Sequence, residues 1–145
     1  MTKVLIAYQS FTGSCKAIAE AAAKGVGEAG GKADVKDVAV TTSADLIAHD
    51  ALILVTTQPF QSLAGESKKF FERMWPDREK IVKGMTFAAI ICHVNEAAST
   101  AATLDMFAKY FGWKKFGDWL QPSPKEPEAG KNAARQLGIA VAQGG

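Results

Sequence analysis

Apolar residues follow two alternating rhythms along this chain. Val4 to Ala7, Ala51 to Val55 and Phe87 to Cys92 are unbroken apolar runs bounded by polar or turn residues. Short runs rich in β-branched residues predict strands buried on both faces, as in a parallel sheet covered by helices. Two stretches alternate instead: Ala33-Asp34-Val35-Lys36-Asp37-Val38 and Lys115-Phe116-Gly117-Asp118-Trp119. Such half-exposed segments predict edge strands, whose charges discourage unwanted pairing. Between the strands the period lengthens. Ile18, Ala22 and Val26 recur every fourth position, with Glu20 and Lys24 spaced as an i,i+4 pair, and Gly30-Gly31 ends that helix. Leu63, Phe70, Phe71 and Met74 predict a shorter helix before Pro76, and Ala98 to Phe111 another that stops at Gly112. Ala133, Leu137 and Val141 mark the last helix, and Ser43 to Ala48 a short one between the second and third strands. Strand and helix thus alternate throughout. Short connections and right-handed crossovers make this one doubly wound α/β domain over residues 1–145, with five strands.

Length and composition agree. The chain has 145 residues, 48% of them apolar, and a globule of this size buries about 68–70% of its unfolded surface. Seventeen basic residues against fifteen acidic ones give a net charge of +2, too small for a nucleic-acid groove. Two cysteines and two histidines without zinc-finger spacing predict no metal site. No apolar run approaches a membrane span, and the apolar stretch after Met1 is too short for a signal-peptide core. The expected location is the cytoplasm.

Ligands of open α/β sheets sit outside the carboxyl ends of the strands. The segments to interrogate are therefore Gln9 to Cys15, Thr56 to Gly65 and His93 to Ser99. Gln9-Ser10-Phe11-Thr12-Gly13-Ser14-Cys15-Lys16 runs from a buried strand into a helix and is rich in hydroxyls. Helix N–H groups, hydroxyls and the positive dipole end suit a phosphate. An ordinary N-cap favours the same residues, so both readings stand at this point.

Val4-Leu5-Ile6-Ala7-Tyr8-Gln9-Ser10-Phe11-Thr12-Gly13-Ser14 resembles the opening of the flavodoxin family. Asp50 to Val55 followed by Pro59-Phe60 and Gly65, with Lys69, Phe70 and Phe71 beyond, resembles the third strand and flavin loop of flavodoxin-like quinone reductases. Asn95 to Gly112 resembles the segment after the fourth strand, and the length is that of the short-chain members. The resemblance implies a flavodoxin-like three-layer α/β sandwich with a five-stranded parallel sheet in the order 2-1-3-4-5. It also implies bound flavin mononucleotide (FMN). The phosphate would lie on Ser10, Phe11, Thr12, Gly13, Ser14 and Cys15. The ring would lie between Thr57, Gln58, Pro59 and Phe60 on one side and His93, Val94 and Asn95 on the other.

The chain departs from the family's pattern at Cys15, where a threonine is usual, and at Thr57-Gln58-Pro59, where a Pro-Thr pair is common. It lacks the aromatic that many members carry after the fourth strand, and it is slightly basic where flavodoxins are usually acidic. The implied role is electron transfer to a redox partner protein or a small-molecule acceptor, with no catalytic side chain assigned. The alternatives are an NAD(P)H-dependent FMN or quinone reductase, and a flavodoxin-fold binding module that has lost the flavin.

Other motifs lead elsewhere. Gly25-Val26-Gly27-Glu28-Ala29-Gly30 spells a dinucleotide fingerprint but follows no strand, and reads as a helix-ending glycine cluster. A receiver domain would need acidic residues where Tyr8-Gln9-Ser10 and Val55-Thr56-Thr57 stand, and there is no Gly-x-Ser-x-Gly elbow after a strand. Phe60 is expected to face the flavin, and Phe70, Trp75, Trp113 and Trp119 to pack in the core. Cys15 is expected to be a small residue tolerated at a threonine site. Strands one and four flank strand three, about 9–10 Å apart, which predicts that Cys15 and Cys92 lie beyond disulfide reach unless the first loop folds back. His93 is expected to be satisfied locally, His49 to sit at the surface, and Gln121 to Pro127 to be a plain connector.

Overall fold

The computed structural model describes residues 1–92 and 96–144. Five strands, β1 (Lys3–Tyr8), β2 (Lys32–Asp37), β3 (Ala51–Thr56), β4 (Thr86–Ile91) and β5 (Lys114–Lys115), form one parallel sheet in the order β2-β1-β3-β4-β5. The helices are α1 (Ser14–Glu28), α2 (Ser43–Ile47), α3 (Gly65–Met74), α4 (Ala98–Phe111) and α5 (Pro127–Gly144). This is the expected 2-1-3-4-5 sandwich. No helix among the described residues is long and apolar enough to cross a membrane.

The period of two in each inner strand divides the core into two. Leu5, Ala7, Leu52, Leu54, Phe87, Ala89 and Ile91 face α3 and α4, where they meet Phe70, Phe71, Leu104 and Phe111. Val4, Ile6, Ala51, Ile53, Val55, Ala88, Ile90 and Cys92 face α1 and α5, where they meet Ile18, Ala22, Val26 and Val141. Both faces of β3 and β4 are buried throughout, which is why those strands show no alternation in the sequence.

Four expectations need correction. The fifth strand is shorter than its pattern. It pairs at Lys114 and Lys115, breaks where Gly117 takes a φ of 64°, and touches β4 again only at Leu120. Gly25 does not end a helix: it lies inside α1, where a Cβ would sit 1.9 Å from the Arg135 carbonyl oxygen of α5. Trp75 is 40% exposed rather than core, because the chain leaves α3 there for a single 3-10 turn, and Arg78 lies over its ring. His49 is buried, not superficial. Its Nε2 lies 2.7 Å from Asp34 and its Nδ1 2.5 Å from the Asp45 carbonyl oxygen, so both ring nitrogens face acceptors.

Candidate functional site

β1, β3 and β4 end level with one another, since Tyr8 pairs with Val55 and Thr56 with Ile91. The loops that leave them therefore open on one edge of the sheet. The first of these is locked from below by Gln9. Its N–H donates to the Val55 carbonyl at 2.8 Å, and its Oε1 accepts from the Thr57 N–H at 3.2 Å and the Thr57 hydroxyl at 2.6 Å. Sequence reasoning placed Gln9 in this loop but gave it no role. The only signal was a lone polar residue directly after a buried strand.

Above Gln9 the loop curls on itself. Ser10 Oγ accepts from the Gly13 N–H at 2.8 Å, and the Thr12 and Ser14 hydroxyls stand 3.1 Å apart. Gly13 is the N-cap of α1 with φ +89°, in the left-handed region that favours glycine. A Cβ on it would meet no protein atom within 4 Å, so glycine is required here by backbone conformation and not by crowding within the chain. No side chain caps α1, and its first turn carries no acidic residue. The N–H groups of Ser14, Cys15 and Lys16 thus leave the positive end of a four-turn helix without partners among the described residues. Of the two readings that the sequence allowed, an ordinary side-chain N-cap is the one this geometry removes.

These groups border a cavity of about 290 Å³ lined by Ser10, Phe11, Thr12, Ser14, Cys15, Thr57, Gln58 and Pro59. No Asp or Glu among the described residues lines it. Its walls contain two aromatic or cyclic faces and three hydroxyl-bearing residues of the first loop, the composition of an anion cradle with an apolar flank. Among the described residues no cluster of His, Cys, Asp or Glu is arranged to hold a metal.

The second loop supplies the flank. Its 3-10 turn, Pro59–Gln61, holds Phe60 at φ 55° and Gln61 at φ 63°, and Phe60 is wholly exposed. Phe11, on the first loop, is 72% exposed. Phe60 therefore does not fold into the core. Two consecutive non-glycine residues in the left-handed region mark stored backbone strain. Gln58 lines the cavity and also braces the loop. Its Nε2 donates to the Glu96 carbonyl and its Oε1 accepts from the Thr100 hydroxyl at 2.8 Å, tying the second loop to the start of α4. Below it, the buried Thr56 and Ser67 hydroxyls are 2.7 Å apart. His93, Val94 and Asn95, expected on the far side of the site, lie outside the described residues.

The strain at Gln61 makes a first prediction. A left-handed conformation costs an L-residue roughly 1–2 kcal/mol, and glycine's extra freedom in the unfolded chain returns about half of that. Gln61→Gly is therefore expected to raise stability by about 0.5–1 kcal/mol, read as a higher thermal midpoint. A lower midpoint would show that the Gln61 side chain contributes a contact outweighing the strain.

Cys15 turns its side chain away from the cradle. It is 1% exposed and packs beneath α1, in the same buried cluster as Cys92. What it offers the cavity is its backbone N–H. Both cysteines are free, and no disulfide joins them. Strands β1 and β4 are indeed separated by β3, but Cys15 belongs to α1, which lies across that face of the sheet and reaches the end of β4.

The sequence profile of the flavodoxin family matches residues 6–119. An NAD(P)H dehydrogenase (quinone) from Gluconacetobacter diazotrophicus is 34% identical over 71% of this chain, which spans 58% of that relative's length. A flavodoxin from the domain Archaea superposes with a TM-score of 0.83 at 17% identity, covering 98% of this chain and 97% of its own. Two-electron reduced Megasphaera elsdenii flavodoxin gives 0.79 at 21% identity, with 97% and 98% covered. A flavodoxin, WrbA-like protein from Agrobacterium tumefaciens gives 0.79 at 19% identity, with 99% and 96% covered.

Proposed function

The chain belongs to the flavodoxin family, and we propose that it is an FMN-binding electron-transfer protein whose cradle at residues 10–15 holds the phosphate. The observation that carries this reading is the uncapped start of α1, with free N–H groups behind a hydroxyl-rich loop and no carboxylate in its first turn. A phosphate satisfies those donors and gains from the helix dipole. The flavin, when bound, supplies the electron-carrying chemistry. The chain's own residues bind and orient. Ser10, Thr12 and Ser14 offer hydroxyls, and Ser14, Cys15 and Lys16 their N–H groups. Phe11, Pro59 and Phe60 present flat apolar faces beside the cavity. Gln9 and Gln58 hold the loops in fixed relation to one another. At about 290 Å³ the cavity falls just under the usual small-molecule range of roughly 300–1,000 Å³. It therefore takes the phosphate end and leaves the ring among the loop tips, within reach of a protein or small-molecule acceptor.

Specificity for the phosphate is the test. FMN is expected to bind well over tenfold more tightly than riboflavin, because riboflavin leaves the helix-end donors unmatched. Fluorescence titration decides it, and equal affinities would remove the cradle from the reading.

A second reading, a two-electron NAD(P)H-dependent quinone reductase, is favoured by the 34% identical relative and by charge. The loop carboxylates are engaged: Glu66 lies 3.5 Å from Lys69 Nζ, and Glu96 accepts from the Ala98 N–H at 2.5 Å. With a net charge of +2, the negative reduced flavin meets less repulsion here than in an acidic carrier. The second reduction potential is then less negative. NAD(P)H oxidation coupled to a quinone separates the reductase from the carrier.

A further inference from the structure

A second cavity, of about 280 Å³, lies between the first turns of α1 and α5, and the flavin reading leaves it unused. Among the described residues only Ser14 borders both cavities. Ala17 and Ile18 line the second one from α1, and Gly130 and Lys131 line it from α5. The segment from Gln121 to Pro127, expected to be a plain connector, forms a third wall through Pro122, Ser123 and Pro124.

Those walls are tied down at both ends. Leu120 is held against β4, its N–H donating to the Ala89 carbonyl at 3.0 Å and its carbonyl accepting from the Ile91 N–H at 2.8 Å. Further on, the Glu126 N–H donates to the Ser123 carbonyl at 3.2 Å, and the Gly130 N–H to the Glu126 carbonyl at 3.0 Å. Pro122, Pro124 and Pro127 restrict the backbone between these anchors. Gly130 lets α5 close on the loop, since a Cβ there would stand 3.1 Å from the Pro122 Cβ and 3.7 Å from the Ile18 Cδ1. A site built this way costs a ligand little ordering of the protein.

We propose that this second cavity is a binding site for a monocyclic aromatic carboxylate, with the ring between α1 and the proline loop and the carboxylate at Lys131. Size and lining give the ring. An apolar cavity of about 150 Å³ already holds benzene, so 280 Å³ takes one ring with its substituent. Ala17, Ile18, Pro122 and Pro127 present hydrocarbon to it, and the proline rings offer flat faces. Charge gives the carboxylate. Lys131 is the only charged residue of the described lining, which contains no Asp or Glu. Its ion pair is with Glu128, 3.6 Å away and 89% exposed, and a pair so open to water holds the ammonium weakly. A carboxylate whose ring displaces water from the cavity interacts with that ammonium more strongly. Ser123 Oγ accepts from the Lys125 N–H at 3.2 Å and keeps its own proton to donate. An apolar slot with a few polar groups that fix orientation is the usual make-up of a small-molecule site.

The test needs no flavin. Benzoate is titrated into the whole chain labelled with nitrogen-15, and the amide resonances are followed. Those of Ala17, Gly130 and Lys131 are expected to shift together and saturate with a Kd of about 1 mM or below, while those of Phe11, Thr12 and Gly13 stay in place. Benzyl alcohol, the ring without the charge, is expected to move the same resonances with about tenfold lower affinity. Acetate, the charge without the ring, is expected to move none of them. Lys131→Gln should lower benzoate to the affinity of benzyl alcohol and leave the alcohol unchanged. Ala17→Phe, which fills the cavity from α1, should abolish both, and the comparison of probes on the parent chain stands even if that variant folds poorly. No saturable shift, shifts confined to residues 11–13, or equal affinities for benzoate and benzyl alcohol would each overturn the proposal.

Discussion

Gly138→Ala is expected to destabilise this protein by roughly 3 kcal/mol or more, at the upper end of what overpacking costs. The added Cβ would stand 2.1 Å from the Ala22 carbonyl oxygen and 3.1 Å from the Val26 nitrogen. Both atoms belong to the backbone of α1, so no side chain can rotate aside. α5 would have to retreat, opening the seam that buries Ala134 and Val141 against α1 and the sheet. Helix propensity acts the other way, since alanine gains about 0.5–1 kcal/mol over glycine in a helix interior, but the clash is larger. At this chain length each kcal/mol moves the thermal midpoint by roughly 2–4 °C, so a fall of roughly 6–12 °C is expected. The internal control is Gly27→Ala, placed on α1. A Cβ there meets nothing within 4 Å, so that variant should show the propensity gain alone. Equal midpoints for the two variants would mean that α1 and α5 do not approach as closely as the 2.1 Å contact requires.

The largest expected effect on binding belongs to Gly13→Val. At φ +89° a β-branched residue is a steric outlier, so the backbone must swing to negative φ. That rotation breaks the Gly13 N–H to Ser10 Oγ bond and turns the Ser14 N–H away from the cavity. FMN affinity is expected to fall well over tenfold, more than about 1.4 kcal/mol, while circular dichroism still reports the parent's helix and sheet content. Since a Cβ here touches no protein atom, the substitution series separates conformation from crowding. Asparagine, which tolerates the left-handed region, should retain more affinity than alanine, and alanine more than valine. The reverse order would mean that side-chain bulk meets the ligand itself. Unchanged affinity in all three variants would place the phosphate elsewhere.

Local pattern makes much of this molecule legible in its sequence alone. The unbroken runs at residues 4–7, 51–55 and 87–92 are the three inner strands because burial on both faces leaves no polar position to alternate. The junction at residues 9–13 was legible as the passage from a buried strand into a helix, because strand-to-helix junctions can be found from periodicity alone. Gly13 belongs to the same class, since a demand on φ acts on one residue.

What the sequence could not disclose depends on which remote surfaces meet. Gly25 and Gly138 lie 113 positions apart, and each is glycine because the backbone of the other's helix passes against it. A glycine inside a helical period has no local signature of that contact, so Gly25 read as a stop. His49 looked like a surface residue until α2 and β2 brought the Asp45 carbonyl and Asp34 to its two nitrogens. Trp75 looked like core because its spacing continued that of Phe70 and Phe71, but the turn from α-helix to 3-10 geometry after Met74 rotates it outward. The cysteine pair is the clearest case. Counting strands measured the distance within the sheet, whereas Cys15 lies in the layer above it, on α1, in the same buried cluster as Cys92. Periodicity records which face of its own element a residue occupies. Only tertiary packing decides what that face is pressed against.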